Sequence, residues 1–153
     1  LSIAATHELL SKQKEDDIQL RSVLDAVIYN LSRFYIENTD LKIDTYIQDS
    51  IILDSNKAVT VALITNELVQ NSFEHGFLYQ DKIDGRILVK VVENQGIITM
   101  VIEDNGLGYD VNNKDMTNLG LQIVYSFVKN KLSGKIDIES SNKGTRNIIK
   151  FKN

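Results

Sequence analysis

The chain has 153 residues, 42% of them apolar and 25% charged, with a formal net charge of −4 and no cysteine or proline. That length and balance fit one globular domain and exclude a disordered or low-complexity chain. A mildly acidic chain without a basic run is a poor binder of nucleic acid, and the lack of cysteine removes disulfides, zinc–thiolate sites and cysteine nucleophiles. No apolar run reaches the roughly 18–20 residues of a membrane helix, and no signal peptide is visible. The first residue is Leu1 rather than Met, and the first residues already look helical, so a piece of a longer protein is expected.

In chain order, residues 1–13 are apolar and alanine-containing and turn charged from Lys12 to Asp17. Asp16 and Asp17 suit a helix start, and Leu20, Leu24, Val27, Leu31 and Phe34 then recur every three to four residues, which predicts an amphipathic helix over 17–36. Alternation from Leu41 to Gln48 predicts a strand. Ser55 or Asn56 is the expected cap of the next helix. Its buried stripe is Ala58, Val61, Ala62, Thr65, Leu68, Val69 and Ser72, and Gly76 ends it. Strands are expected from Gly85 to Glu93 and from Ile97 to Glu103, joined at Asn94-Gln95-Gly96. A polar, aperiodic loop over 105–118 leads into a helix from Leu119 to Leu132, closed by Gly134. Two last strands, 135–140 and 145–152, flank Ser141 to Gly144. Strands joined by short turns pair antiparallel, and the long helices must cover one face. The expected fold class is α/β (α+β): a two-layer sandwich with a mixed, mostly antiparallel sheet.

Two segments carry the chemistry. Residues 66–75 read Asn-Glu-Leu-Val-Gln-Asn-Ser-Phe-Glu-His, which sets Glu67, Asn71 and His75 one helical turn apart on one face. An amide oxygen with waters and phosphate oxygens makes a sensible shell for Mg²⁺, and a carboxylate one turn away can orient or deprotonate an attacking group. A solvated helix face reads the same way. Residues 104–108 read Asp-Asn-Gly-Leu-Gly: a carboxylate at a strand end that can accept from an exocyclic amine, then two glycines that admit close backbone approach. A plain turn also contains Asn-Gly. The segment has neither the third glycine of a Rossmann fingerprint nor the Lys-Ser/Thr of a P-loop. Asn118-Leu119-Gly120-Leu121 opens a helix whose N–H groups offer an anion site, and Gly144-Thr145 begins the last strand. Together these suggest a nucleotide between a helix face and a loop, with a divalent metal on its phosphates.

The order Glu-x-x-x-Asn, Asp-x-Gly-x-Gly, polar loop, Leu-Gly-Leu and Gly-Thr resembles the GHKL ATPases: gyrase B, the ninety-kilodalton heat-shock chaperone, MutL and the sensor histidine kinases. The resemblance spans about 55–152 and implies the Bergerat fold. Within the family, Asn-Glu-Leu-Val-x-Asn-x-x-x-His is similar to the histidine kinases with the second type of phosphoacceptor region, and residues 3–10 resemble the end of that region. The resemblance divides the chain into 1–16, the end of the dimerisation region, and 17–153, the ATP-binding catalytic domain.

By that resemblance Asn71 holds Mg²⁺, Asp104 binds the adenine amine, Thr145 assists through water, and His75 walls the pocket. Gly106, Gly108 and Gly120, with Leu119 and Leu121 around the last, match lid and phosphate-loop positions. Glu67 stands where hydrolysing members carry a general base, and in kinases that position polarises the acceptor imidazole. The implied cofactors are ATP and Mg²⁺. The implied partners are the chain's own dimerisation/phosphoacceptor domain, in a homodimer of the full-length protein, and a response regulator. The implied location is a cytoplasmic domain.

There are two departures from the family pattern: Glu74 where many kinases have Lys or Arg near the phosphates, and Asn118 in place of a glycine before Leu-Gly-Leu. The chain has only two histidines, His7 and His75, and the phosphorylated one is expected upstream of Leu1. An anti-sigma-factor serine kinase shares the fold, but helical sequence over 1–36 argues against it. A non-catalytic nucleotide-binding module is the remaining alternative.

Overall fold

The computed structural model describes residues 17–36, 39–77, 84–113 and 118–153. Residues 1–16, assigned by resemblance to the dimerisation region, lie outside the described residues, as does His7.

The chain enters through β1 (Asp17–Gln19), which pairs antiparallel with β3 (Ile52–Asp54). The helix expected from residue 17 therefore begins later, as α1 (Leu20–Tyr35). The physical reason is burial: Ile18 fits into the core beside Leu53, and Leu20 N donates to Ile51 O over 3.0 Å. From there Leu20, Val23, Leu24, Val27, Ile28 and Leu31 form the buried stripe, so the expected periodicity is present but its start is displaced.

β2 (Lys42–Ile47) runs parallel to β4 (Arg86–Asn94), because β3 and a helix cross over between them. That helix, α2 (Ser55–Asn71), is capped by Asp54, whose Oδ1 accepts from Lys57 N at 2.9 Å. Neither Ser55 nor Asn56 is the cap. All seven residues of the expected apolar stripe are buried. The last turn, Ser72–Gly76, widens into a π-helix, and Ser72 N shares Leu68 O and Val69 O. π turns inside helices tend to sit at functional sites.

β4 and β5 (Ile97–Asp104) make a hairpin closed by Gln95 and Gly96, both with positive φ (51° and 76°). Such a turn matches the strand twist. α3 (Leu119–Asn130) follows. It stops two residues short of Leu132, because Ser133 takes the left-handed conformation (φ 50°) and Gly134 N reaches back to Val128 O. β6 (Lys135–Ser141) and β7 (Gly144–Lys152) complete the sheet, in the order β2-β4-β5-β7-β6. Every pair except β2–β4 is antiparallel, so the mixed, mostly antiparallel sheet stands.

The helices cover one face. Ile87, Val89 and Val91 of β4, Ile98, Met100 and Ile102 of β5, and Ile149 and Phe151 of β7 point into that layer and are buried. Each such side chain contributes on the order of 1.5–3 kcal/mol. Alternate residues such as Arg86, Lys90, Arg146 and Lys150 are exposed on the other face. The packing fixes the end of α2, the end of β5, the start of β7 and the start of α3 around one cavity. No helix among the described residues is long and apolar enough to cross a membrane.

Candidate functional site

The cavity has a volume of about 720 Å3. Its walls come from the C-terminal end of α2 with its π turn (Leu68, Asn71, Ser72, His75), the segment after β5 (Leu107, Gly108, Tyr109) and the start of α3 (Asn118, Leu121). Asp104, Thr145 and Asn147 line it from the sheet.

Asp104 ends β5, is 7% exposed, and is held on both oxygens. Ser72 Oγ donates to Oδ2 at 2.7 Å. Gly106 N donates to Oδ1 at 3.0 Å, and Thr145 N to the same oxygen at 3.2 Å. A buried carboxylate with three fixed donors has a fixed direction. Oδ1 already accepts two bonds and Oδ2 one, so Oδ2 keeps a lone pair for an amine entering the cavity. Thr145 Oγ1 lies 2.7 Å from Ser140 Oγ, which accepts from Tyr109 N at 2.8 Å.

The loop after Asp104 needs its glycines. A Cβ on Gly106 would lie 2.5 Å from Gly76 O and 2.7 Å from Gly76 Cα, and Leu107 N donates to that same carbonyl at 3.0 Å. Gly108 has φ +68°, and a Cβ there would collide with Ser141 O. The two segments singled out in the sequence are therefore in backbone contact: the π turn of one lies against the glycine loop of the other.

Asn118 joins the opposite walls. Its Oδ1 caps α3 by accepting from Leu121 N at 2.8 Å. Its Nδ2 donates to Asn71 Oδ1 at 3.2 Å and lies 3.3 Å from His75 Nε2. The N–H groups of Leu119 and Gly120 lie in the first turn, where a helix has no acceptor of its own. Glu67 stands beside them: a Cβ on Gly120 would come within 2.5 Å of its Oε2. Burial pushes the Glu67 carboxyl pKa up, and the Glu74 charge adds to the shift.

Of the residues expected from sequence, Asn71, His75, Asp104, Gly108, Leu121 and Thr145 line the cavity. Gly106, Glu67, Leu119 and Gly120 are not among its lining residues: Gly106 packs on the Gly76 backbone, Glu67 and Gly120 lie against each other, and Leu119 is 72% exposed. Sequence reading missed Ser72, Tyr109 and Asn147. Ser72 was assigned to the buried stripe, and nothing local marks it as a donor to a carboxylate 32 residues away. Burial pushes the Tyr109 phenol up to about 12. Asn147 is 4% exposed; its Nδ2 donates to Ile102 O at 3.3 Å, and its Oδ1 has no partner among the described residues.

Comparison with known proteins follows the same lines. Residues 56–153 match the family model described as histidine kinase-, DNA gyrase B-, and HSP90-like ATPase. The chain is 27% identical over 152 residues to the sensor histidine kinase PdtaS of Mycobacterium tuberculosis, covering 97% of this chain and 30% of that one. It is 26% identical to PdtaS of Mycolicibacterium smegmatis over the same extent. The chain thus spans less than a third of the length of these relatives.

In fold it is similar to the histidine kinase domain of the Erythrobacter litoralis EL346 blue-light activated histidine kinase, with a TM-score of 0.83 at 19% identity over 97% of this chain and 76% of that one. It is also similar to the catalytic domain of histidine kinase ThkA, with a TM-score of 0.71 at 16% identity over 89% of this chain and 94% of that one. With a family match over 56–153 and a cavity built from its two most distinctive segments, the chain belongs to the histidine kinase-, DNA gyrase B-, and HSP90-like ATPase family.

Proposed function

We propose that this chain is the ATP-binding catalytic domain of a sensor histidine kinase. It binds Mg–ATP and delivers the γ-phosphoryl group to a histidine outside residues 1–153. Residues 17–153 form the catalytic unit, and 1–16 end the dimerisation region. In the full-length protein, a homodimer, the phosphoryl group passes on to a response regulator, and this domain works in the cytoplasm.

The observation that carries the reading is the buried, triply held carboxylate of Asp104 at one end of the cavity, with Asn71, Asn118 and Leu121 at the other and Glu67 against Gly120 in the first turn of α3. Adenine fits the first end. Its amine donates to Asp104, with Thr145 and Ser140 hydroxyls at hand for water. The buried Asn147 Oδ1, without a partner among the described residues, offers a further acceptor, and such an atom costs about 1–3 kcal/mol until a donor reaches it. The triphosphate fits the second end, where the first-turn N–H groups of α3 offer an anion site.

Mg²⁺ fits Asn71, a neutral oxygen donor with one lone pair turned to Asn118, because this ion takes few protein ligands and keeps its waters. When bound, it neutralises charge on the phosphates. The protein's own contribution is positioning and electrostatics. The acceptor imidazole attacks the γ-phosphorus in line, the bond to the bridging oxygen breaks, and ADP leaves. Glu67, with its raised proton affinity, accepts a hydrogen bond from the far imidazole N–H and stabilises the charge that grows there.

Asp104→Asn tests the adenine assignment. It turns an acceptor into a mixed donor and acceptor, and ATP affinity should fall by about a hundredfold or more. Unchanged affinity would overturn it.

A further inference from the structure

Glu74 belongs to two walls. It lines the large cavity, and it also lines a smaller groove of about 230 Å3 between α1 and α2. In the groove the Tyr35 hydroxyl donates to Glu74 Oε1 at 2.9 Å, and Gln70 Nε2 donates to the same oxygen at 2.9 Å. Packing fixes the phenol: its ring stacks on the buried Phe73 ring, with centroids 4.5 Å apart and an interplanar angle of 8°. Burial, and then Glu74 itself, push the Tyr35 hydroxyl up to about 12, so it remains a donor at any ordinary pH.

The cavity side is poor in positive charge. Among the described residues that line it, none is Lys or Arg. Glu67 already brings one carboxylate close to the first turn of α3. Glu74 and Asn71 both line the large cavity, so a side-chain rotation is enough to turn the Glu74 carboxylate towards what Asn71 faces. A second carboxylate there would repel a triphosphate.

We propose that Tyr35 is a positioning residue for nucleotide binding: with Gln70 it holds the Glu74 carboxylate on the α1 side of the π turn and keeps that negative charge off the path of the triphosphate. The inference rests on the nucleotide reading of the cavity. It gives the acid at position 74 a partner, and it makes the end of α1 part of the nucleotide site without touching the nucleotide.

The test is a double-mutant cycle read with two ligands, Mg–ATP and adenosine. Tyr35→Phe keeps the ring stack and removes the hydroxyl. It should weaken Mg–ATP binding by about three- to tenfold through the freed charge, more at low salt than at high. Adenosine, which carries no phosphate, should bind Tyr35→Phe and the parent chain alike. In a Glu74→Gln background Tyr35→Phe should have no effect on either ligand, because no charge is left to hold.

Equal losses for ATP and adenosine, or the same ATP loss in the Glu74→Gln background, would mean that Tyr35 acts by packing and would overturn the proposal. So would parent and Tyr35→Phe chains that bind Mg–ATP equally. If the parent chain bound neither ligand, the nucleotide reading itself would fall, and this inference with it.

Discussion

The side-chain amide of Asn118 donates to Asn71 Oδ1 at 3.2 Å while its carbonyl oxygen caps α3, so one residue couples the helix that starts the phosphate end to the residue assigned to Mg²⁺. The two roles separate by substitution. Asn118→Ala loses cap and bridge and should cost about 1 kcal/mol in urea unfolding. Asn118→Gly keeps a tolerable cap and should cost only about a few tenths of a kcal/mol. Because it frees Asn71 Oδ1 from a competing donor, Asn118→Gly should also lower the Mg²⁺ concentration that half-saturates nucleotide binding. A higher Mg²⁺ requirement would show that the bridge helps the metal rather than competes with it.

Glu67 gives a pH signature. Its folded-state pKa lies above the ordinary carboxyl value of 4.5, chiefly through burial and then through the Glu74 charge. A raised carboxyl pKa means that the folded chain prefers the protonated form. Its stability contribution is therefore present below 4.5 and lost as pH rises through the folded-state value. Glu67→Gln removes that loss, so it should melt higher than the parent at pH 7, and the difference should close as pH falls towards 4.5. Phosphoryl transfer by the full-length protein should meanwhile drop by about a hundredfold or more. A Tm difference that widens on acidification would contradict the assignment.

Ser72 should matter more than a buried serine usually does. Its hydroxyl donates to the Asp104 carboxylate at 2.7 Å, and hydrogen bonds to charged groups contribute about 1.5–3 kcal/mol. Ser72→Ala should cost about that much in denaturant unfolding. Ser72→Thr, if its added methyl is accommodated, should recover part of the loss. A loss of only a few tenths for the alanine variant would mean that Gly106 and Thr145 hold Asp104 unaided.

The glycine loop is constrained by backbone, which cannot yield as a side chain can. A methyl on Gly106 meets three backbone atoms of Gly76 within 2.8 Å. Gly106→Ala should therefore destabilise by about 1–3 kcal/mol. Gly108→Ala adds a positive φ to a collision with Ser141 O and should lose more. Circular dichroism across a urea series measures both, and a Gly108→Ala chain as stable as the parent would refute the geometry.

How much of this was legible in the sequence depends on the range of the interaction. The stripe of α2 and the Gln95-Gly96 turn follow from local periodicity and from φ > 0, and both are where the sequence places them. β1 and β3 have three residues each, too few for any period to register. Asp17 was read as a helix start because an acid before an apolar run suits one, yet it pairs with Asp54 in a ladder. The cap of α2 fell one residue from the expected pair because Asp54, Ser55 and Asn56 are all competent caps and only the backbone decides among them.

In the site, spacing put Asn71 and His75 on one helix face and the family resemblance added Asp104 and Thr145; all four line one cavity, though the i, i+4 argument assumed an α-helix where the structure has a π turn. The partners of those residues were not legible. Tyr35 and Glu74 are 39 residues apart, Ser72 and Asp104 are 32, and Asn71 and Asn118 are 47. No pattern within one element announces such a pair. Glu74 stood out only as a departure and Asn118 as a departure and a cap, and the structure supplies each with hydrogen-bond partners.

The most direct measurement of the central claim is calorimetric titration of an ATP analogue into the parent and Asn71→Ala chains, with and without Mg²⁺. The account predicts that Mg²⁺ strengthens binding to the parent by about tenfold or more and leaves Asn71→Ala nearly unaffected. Binding that ignores Mg²⁺ in the parent, or an Asn71→Ala chain that responds to Mg²⁺ as the parent does, would contradict the assignment of the metal to Asn71. Absent binding in both would contradict the nucleotide site itself.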